Sequence, residues 1–134
     1  MEPAPEVYRA AAELRAALRT FARRSEQFAR EEGLTPQQYL LLLQVKGSPG
    51  GRERSTVTDL AQRLQLAQST VTELVRRAEQ AGFLRRESST DDARVNWLTL
   101  TPEGERRVAA VVVKHGPERR RLADLLAALG PDLG

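Results

Sequence analysis

The side chains with the most chemical potential lie close together: Gln68, Ser69, Thr70, Thr72, Glu73, Arg76 and Arg77. On a helix they occupy the side opposite Val71, Leu74, Val75 and Ala78, whose three- and four-residue spacing marks an apolar stripe. A first turn of short hydroxyls and amides lets a backbone approach a duplex closely and hydrogen-bond to base edges, while Arg76 and Arg77 suit phosphates. Glu73 is the odd member, a negative charge on a surface meant to face phosphates. It can accept from a cytosine N4 amine, orient Arg77, or simply lie at the groove margin. An isolated amphipathic helix carries such a face for solubility alone, so its meaning depends on the elements around it.

Those elements are legible on either side. Val57, Leu60, Ala61 and Leu64 repeat the same spacing in a shorter helix. Gln65-Leu66-Ala67 is then a tight turn in which Leu66 is expected to plug the corner between the two helices. Gly82 supplies a residue able to take positive φ and end the second helix. From Phe83 to Thr101 β-type residues flank the polar run Ser88 to Asp92, the pattern of a two-stranded hairpin. Helix, turn, helix and hairpin in that order form a helix-turn-helix with a wing, whose second helix can enter the DNA major groove.

The runs LTPQQYLLLLQV, TVTDLAQRLQLAQSTVTELVRRAEQAGFLRR and DDARVNWLTLTPEG resemble the MarR-type winged helix-turn-helix transcriptional regulators over about residues 34 to 110. The most specific parts are Ser69 to Val75, the D-x-R of Asp92 and Arg94, and the L-T-x-x-G of Leu100 to Gly104. The resemblance implies an obligate homodimer on a palindromic operator of double-stranded DNA, often responsive to a small anionic or phenolic ligand. It implies DNA-facing positions for Ser69, Thr70 and Thr72, a minor-groove role for Arg94, and Asp92 bracing the wing. It also implies a ligand pocket between the dimer helices and the winged domain, for which Tyr8, Tyr39, Trp97 and His115 are the candidates. Each has a plainer reading: Tyr39 as core, Trp97 as a strand residue against a helix, His115 as a solvated residue near a helix end. Two positions depart from the pattern. Ala67 stands where a serine N-cap is usual, a loss of about 1 kcal/mol, and Ala78 stands where leucine is commoner.

The whole chain sets bounds on this reading. Its 134 residues make one domain's worth of core. The net charge of +3 argues only weakly for nucleic acid, since residues 52 to 94 hold eight arginines against seven acids. With no cysteine there is no disulfide, thiolate metal site or thiol redox chemistry. One histidine, no glycine-rich phosphate loop, no metal-ligand spacing and acids scattered among arginines leave an enzyme without a catalytic set, a cofactor or a metal. No apolar run spans a bilayer and the N-terminus is charged throughout, so a cytoplasmic protein without a membrane partner is expected. A winged domain that binds protein instead of DNA is the competing class.

At the ends, Pro5 to about Glu31 favours one long helix. Its Val7, Ala11, Leu14, Leu18, Phe21, Ser25 and Phe28 follow the narrow seam of a helix that packs along another. Val108, Ala109, Val111 and Val112 form a second apolar face. A break at Gly116-Pro117 precedes a third, Leu122, Leu125, Leu126 and Leu129. Three such faces exceed what one subunit easily covers, so the first helix and the last two are expected to intertwine with those of a second copy. Thr35-Pro36-Gln37-Gln38 opens a buried leucine-rich helix with capping-box spacing, and Thr101-Pro102 repeats the start signal. Gly47 to Arg54 reads as a flexible loop whose two arginines contact phosphates or keep it soluble. The expected architecture is mainly α with a small β-hairpin wing. Residues 1–34 form an N-terminal dimerisation helix, 35–101 the winged helix-turn-helix, and 102–134 the C-terminal dimerisation helices.

Overall fold

The computed structural model describes residues 1–92 and 94–134. Five helices and one hairpin follow in the order α1 Pro5–Glu31, α2 Pro36–Lys46, α3 Val57–Leu64, α4 Gln68–Gln80, β1 Leu84–Ser88, β2 Asn96–Leu100 and α5 Pro102–Leu129. Short 3-10 turns cover Pro49–Gly51 and Gly130–Asp132. It is the mainly helical, winged arrangement expected.

Local chemistry fixes the helix starts. Thr35 accepts from the Gln38 amide while the Gln38 side chain accepts from the Thr35 amide, a reciprocal cap completed by Pro36. Thr56 and Asp59 form the same box at α3. α4 has no side-chain cap, because Ala67 offers no acceptor. Its other end closes as a Schellman turn: Phe83 N donates to Ala78 O at 2.9 Å, Gly82 N donates to Glu79 O at 3.0 Å, and Gly82 takes φ of +84°.

α2, α3, α4 and the hairpin pack around Leu41, Leu42, Val45, Leu60, Val71, Val75 and Leu98, all 0 % exposed. β1 and β2 pair antiparallel from Leu84↔Leu100 to Ser88↔Asn96. Ser55 bridges Leu98 from the other side through two backbone hydrogen bonds of 3.1 and 2.8 Å. The loop read as flexible, 47–54, is thereby tied down. The Arg54 amide donates to Ser48 Oγ, Lys46 pairs with Glu53, and the Arg54 guanidinium lies 4.2 Å from the Trp97 ring centre.

α1 and α5 run antiparallel: Glu31 pairs with Lys114 and Arg24 with Glu118, and the 130–132 turn returns to α1. The expected break at Gly116-Pro117 is absent, and α5 is one helix of 28 residues. An internal proline costs about 3 kcal/mol in a lone helix. Here the turn before the proline is held against α1 by His115, which is buried and donates through Nε2–H to Phe21 O. Tertiary packing overrides the local signal.

Two other expectations need correction. Leu66 does not plug the corner but is 40 % exposed. Gln65 instead turns the chain in the left-handed region (φ 55°, ψ 47°), sending Leu66 N back to Ala61 O at 3.1 Å and its side chain outward. α2 is not buried all round, since Leu40 is 48 % exposed between the buried Tyr39 and Leu41. The left-handed glutamine is strained, because a Cβ crowds the carbonyl there. Gln65→Gly is expected to stabilise the fold by about 0.5–1 kcal/mol, read from the urea midpoint. An unchanged or lower midpoint would mean that the turn holds no strain.

Candidate nucleic-acid interface

The four buried residues of α4, Val71, Leu74, Val75 and Ala78, fix which side of the helix turns outward. Outward go Gln68, Ser69, Thr70, Thr72, Arg76 and Arg77, all exposed, with Glu73 partly so. Gln68 is not free, for its Nε2 donates to Thr58 Oγ1 of α3 at 3.2 Å. Because Ala67 cannot cap, no side chain satisfies the first amides of α4. Those donors and the helix dipole favour negative charge at that end.

Glu73 occupies both arginines. Arg76 donates to it through Nε at 2.9 Å and through Nη2, and Arg77 donates through Nε at 3.1 Å. Hydrogen bonding from Arg76, with that from Arg77, pulls its carboxyl down to about 2. It is therefore an anion at any working pH. Of the roles open to Glu73 from sequence, orienting Arg77 fits this geometry, and the carboxylate engages Arg76 as well.

The wing tip is built from its own polar groups. Ser89 N donates to Val95 O, and Ser89 Oγ accepts from the amides of Asp91 and Asp92. Asp92 Oδ1 accepts from Arg94 N at 3.0 Å and from Arg94 Nε at 3.3 Å. The Arg94 side chain remains 91 % exposed. Between this tip and the start of α3 lies a cleft lined by Thr56, Val57, Thr58, Arg86, Arg94, Val95 and Asn96. Thr56, Thr58, Arg86 and Asn96 were not singled out from sequence. The T-x-x-D spacing of Thr56 to Asp59 was the available signal, since it marks the first turn of α3 and hence what that turn presents. Arg86 is held by Glu79 of α4 at 3.0 Å, which ties the hairpin to the second helix.

The four ligand-pocket candidates sit in separate environments. Tyr8 is exposed and donates to Glu2 at 2.7 Å, a bond that raises its phenol. Tyr39 is 2 % exposed in the core, and burial raises its phenol too. Trp97, a strand residue, lies under Arg54 and lines a cleft with Asp59 and Arg63 of α3. His115 is neither solvated nor at a helix end. It is 2 % exposed in mid-helix, its Nε2–H donates to Phe21 O at 3.1 Å, and its ring stacks 4.2 Å from Phe21. Burial holds its imidazole below the usual range. Among the described residues no His, Asp or Glu cluster could hold a metal ion, and no helix is long and apolar enough to cross a membrane.

Comparison with known proteins points one way. A model of the MarR family matches residues 32–95. Among solved structures, the chain is similar to AbsC, a MarR family transcriptional regulator from Streptomyces coelicolor. Identity is 26 %, coverage 92 % of this chain and 87 % of that one, and the TM-score 0.68. It is similar to Sco3205, a MarR family regulator of the same organism solved in complex with DNA, at 26 % identity, 87 % and 70 % coverage and a TM-score of 0.65. The E. coli MarR apo form shares the fold at 17 % identity, 90 % coverage of both chains and a TM-score of 0.71. Comparison with curated protein sequences finds no match.

Proposed function

We propose that this chain is a MarR-type winged helix-turn-helix regulator and that it represses transcription as a cytoplasmic homodimer bound to a pseudo-palindromic operator. The observation that carries the proposal is the exposed polar face of α4, oriented by its buried stripe and flanked by the wing through the Arg86–Glu79 pair. That a similar protein, Sco3205, has been solved with DNA supports it. In a two-fold dimer the two copies of α4 enter successive major-groove faces about 34 Å apart. Residues 1–34 and 102–134 form the dimer region and 35–101 the reading head. Ser69, Thr70, Thr72 and Gln68 read or register bases, Arg76 and Arg77 take phosphates, and Arg94, braced by Asp92, reads a narrow minor groove. A small anionic or phenolic ligand releases the operator by favouring one spacing of the two heads over another.

The test is selection of bound sequences from a random duplex pool. It should return an inverted repeat with half-site centres about one helical turn apart; recovery of no enriched motif and no salt-dependent binding would end the proposal. Arg94→Ala is expected to weaken operator binding and flatten the slope of log K against log salt by about one unit per subunit, because one counterion fewer is released. A slope equal to wild type takes Arg94 out of the interface.

A further inference from the structure

Each arginine of the α4 reading face is already engaged by a carboxylate of its own helix. Glu73 lies one turn beyond Ser69 and one turn before Arg76, at the middle of the exposed face. Arg76 at i+3 and Arg77 at i+4 both reach back to it through Nε, at 2.9 and 3.1 Å. All three side chains are open to solvent, with relative exposures of 44 % for Glu73, 52 % for Arg76 and 63 % for Arg77. The arrangement is therefore not forced by burial and can be exchanged. From Gln68 to Arg77 the face carries two positive charges and one negative.

We infer that Glu73 is a specificity-determining residue: it holds Arg76 and Arg77 as an internal stand-in for phosphate, and releases them only where the major groove offers the carboxylate an amine in exchange. The inference rests on the DNA-binding reading above. A guanidinium already paired with a carboxylate gains little from pairing with any phosphate it meets, so contact with random duplex is suppressed. A carboxylate pushed into the groove without a partner is repelled by the backbone. Cytosine N4 is the hydrogen-bond donor that a glutamate accepts from in the major groove. At a half-site that places a cytosine opposite Glu73, the carboxylate moves to the base and both arginines become free for the backbone. Guanine and thymine present only acceptors there, and at adenine the N6 amine stands beside the N7 acceptor, which repels a carboxylate, so at those bases the exchange leaves the charge poorly paired. The same three residues thus lower affinity for the wrong duplex as well as raising it for the right one.

The experiment compares full-length wild type, Glu73→Gln and the double variant Glu73→Gln, Arg77→Gln. Each is titrated on a random-sequence duplex and on the operator returned by selection, at several salt concentrations. Glutamine keeps the length of the side chain but cannot neutralise two guanidiniums, so Glu73→Gln should bind random duplex about tenfold more tightly at low salt. Its salt slope should steepen by up to about two units per subunit as the two arginines freed from Glu73 take phosphates. Its preference should flatten at one base pair of each half-site, and the double variant, in which only Arg76 is left to take a phosphate, should show about half of that steepening. A residue that merely stabilises the helix would move none of the slopes. Wild-type slope and affinity for random duplex in Glu73→Gln would overturn the inference while leaving the DNA reading intact. Absence of salt-dependent binding by the wild type itself would sink that reading first. Helical circular dichroism of all three proteins separates either result from misfolding.

Discussion

Gly104→Ala is expected to cost about 3 kcal/mol of folding stability, at the upper end for an overpacked site, and to lower the melting temperature by roughly 10 °C in a domain this size. The reason is a backbone contact. A Cβ on Gly104 would stand 2.3 Å from the carbonyl oxygen of Phe83 and 3.1 Å from its carbonyl carbon. Neither atom can step aside. Phe83 O accepts from Thr101 N at 3.0 Å, Phe83 N is spent on the Schellman turn at Ala78, and Phe83 is itself buried. Thr101 Oγ1 completes the knot by donating to Gly82 O and accepting from Gly104 N at 3.1 Å. The end of α4, the end of β2 and the start of α5 meet at this point, so displacement of α5 would also disturb how the reading helix is held. Alanine gains less than about 1 kcal/mol of helix propensity over glycine, too little to offset the overlap. Urea unfolding measures the difference. A loss below about 0.5 kcal/mol, the range of an ordinary surface change, would show that the start of α5 relaxes freely and that Gly104 is not sterically required.

The same knot shows what sequence can and cannot express. L-T-x-x-G was readable as a motif and Thr101-Pro102 as a helix start, because capping depends on groups a few residues apart. The reason for the glycine was not readable, since Phe83 approaches from 21 positions away. The helical spans, the Gly82 stop and the hairpin were legible for the first reason, being set by spacing and turn chemistry. Pro117, Leu66 and His115 went astray for the second. Their local signals say break, plug and surface, and each is overruled by a neighbour distant in sequence or by a backbone angle no residue type announces. Among the candidate site residues, the exposed face of α4 followed from one apolar stripe. Glu73 was singled out as a charge of unsettled role, and three hydrogen bonds now show what it holds. The aromatic residues carried no comparable pattern, though Tyr39 and His115 both lie within reach of Arg119.

The largest functional effect is expected on α1 and α5, outside the exposed face of α4. Leu18 of α1 and Leu126 of α5 are each 40 % exposed. Close by, Ala17, Phe21, Leu122 and Leu125 line an apolar groove between the two helices. α1 and α5 thus satisfy each other along one side and leave an apolar side without a partner, which is the surface a second copy would cover. The double variant Leu18→Glu, Leu126→Glu should leave the single subunit folded, because neither side chain belongs to its buried core. In the dimer the same change puts charge into an apolar interface without pairing it. Sedimentation should then report a dimer for the wild type and a monomer for the double variant. Affinity for the selected inverted repeat should fall by about 10³-fold or more, toward the non-specific level, because one subunit reaches only one half-site. Binding to random duplex at low salt should persist, since each α4 and wing remain intact. A wild type that sediments as a monomer, or a double variant that keeps both dimer and operator affinity, would show that these helices do not pair the two reading heads. The symmetry of the operator would then need another cause.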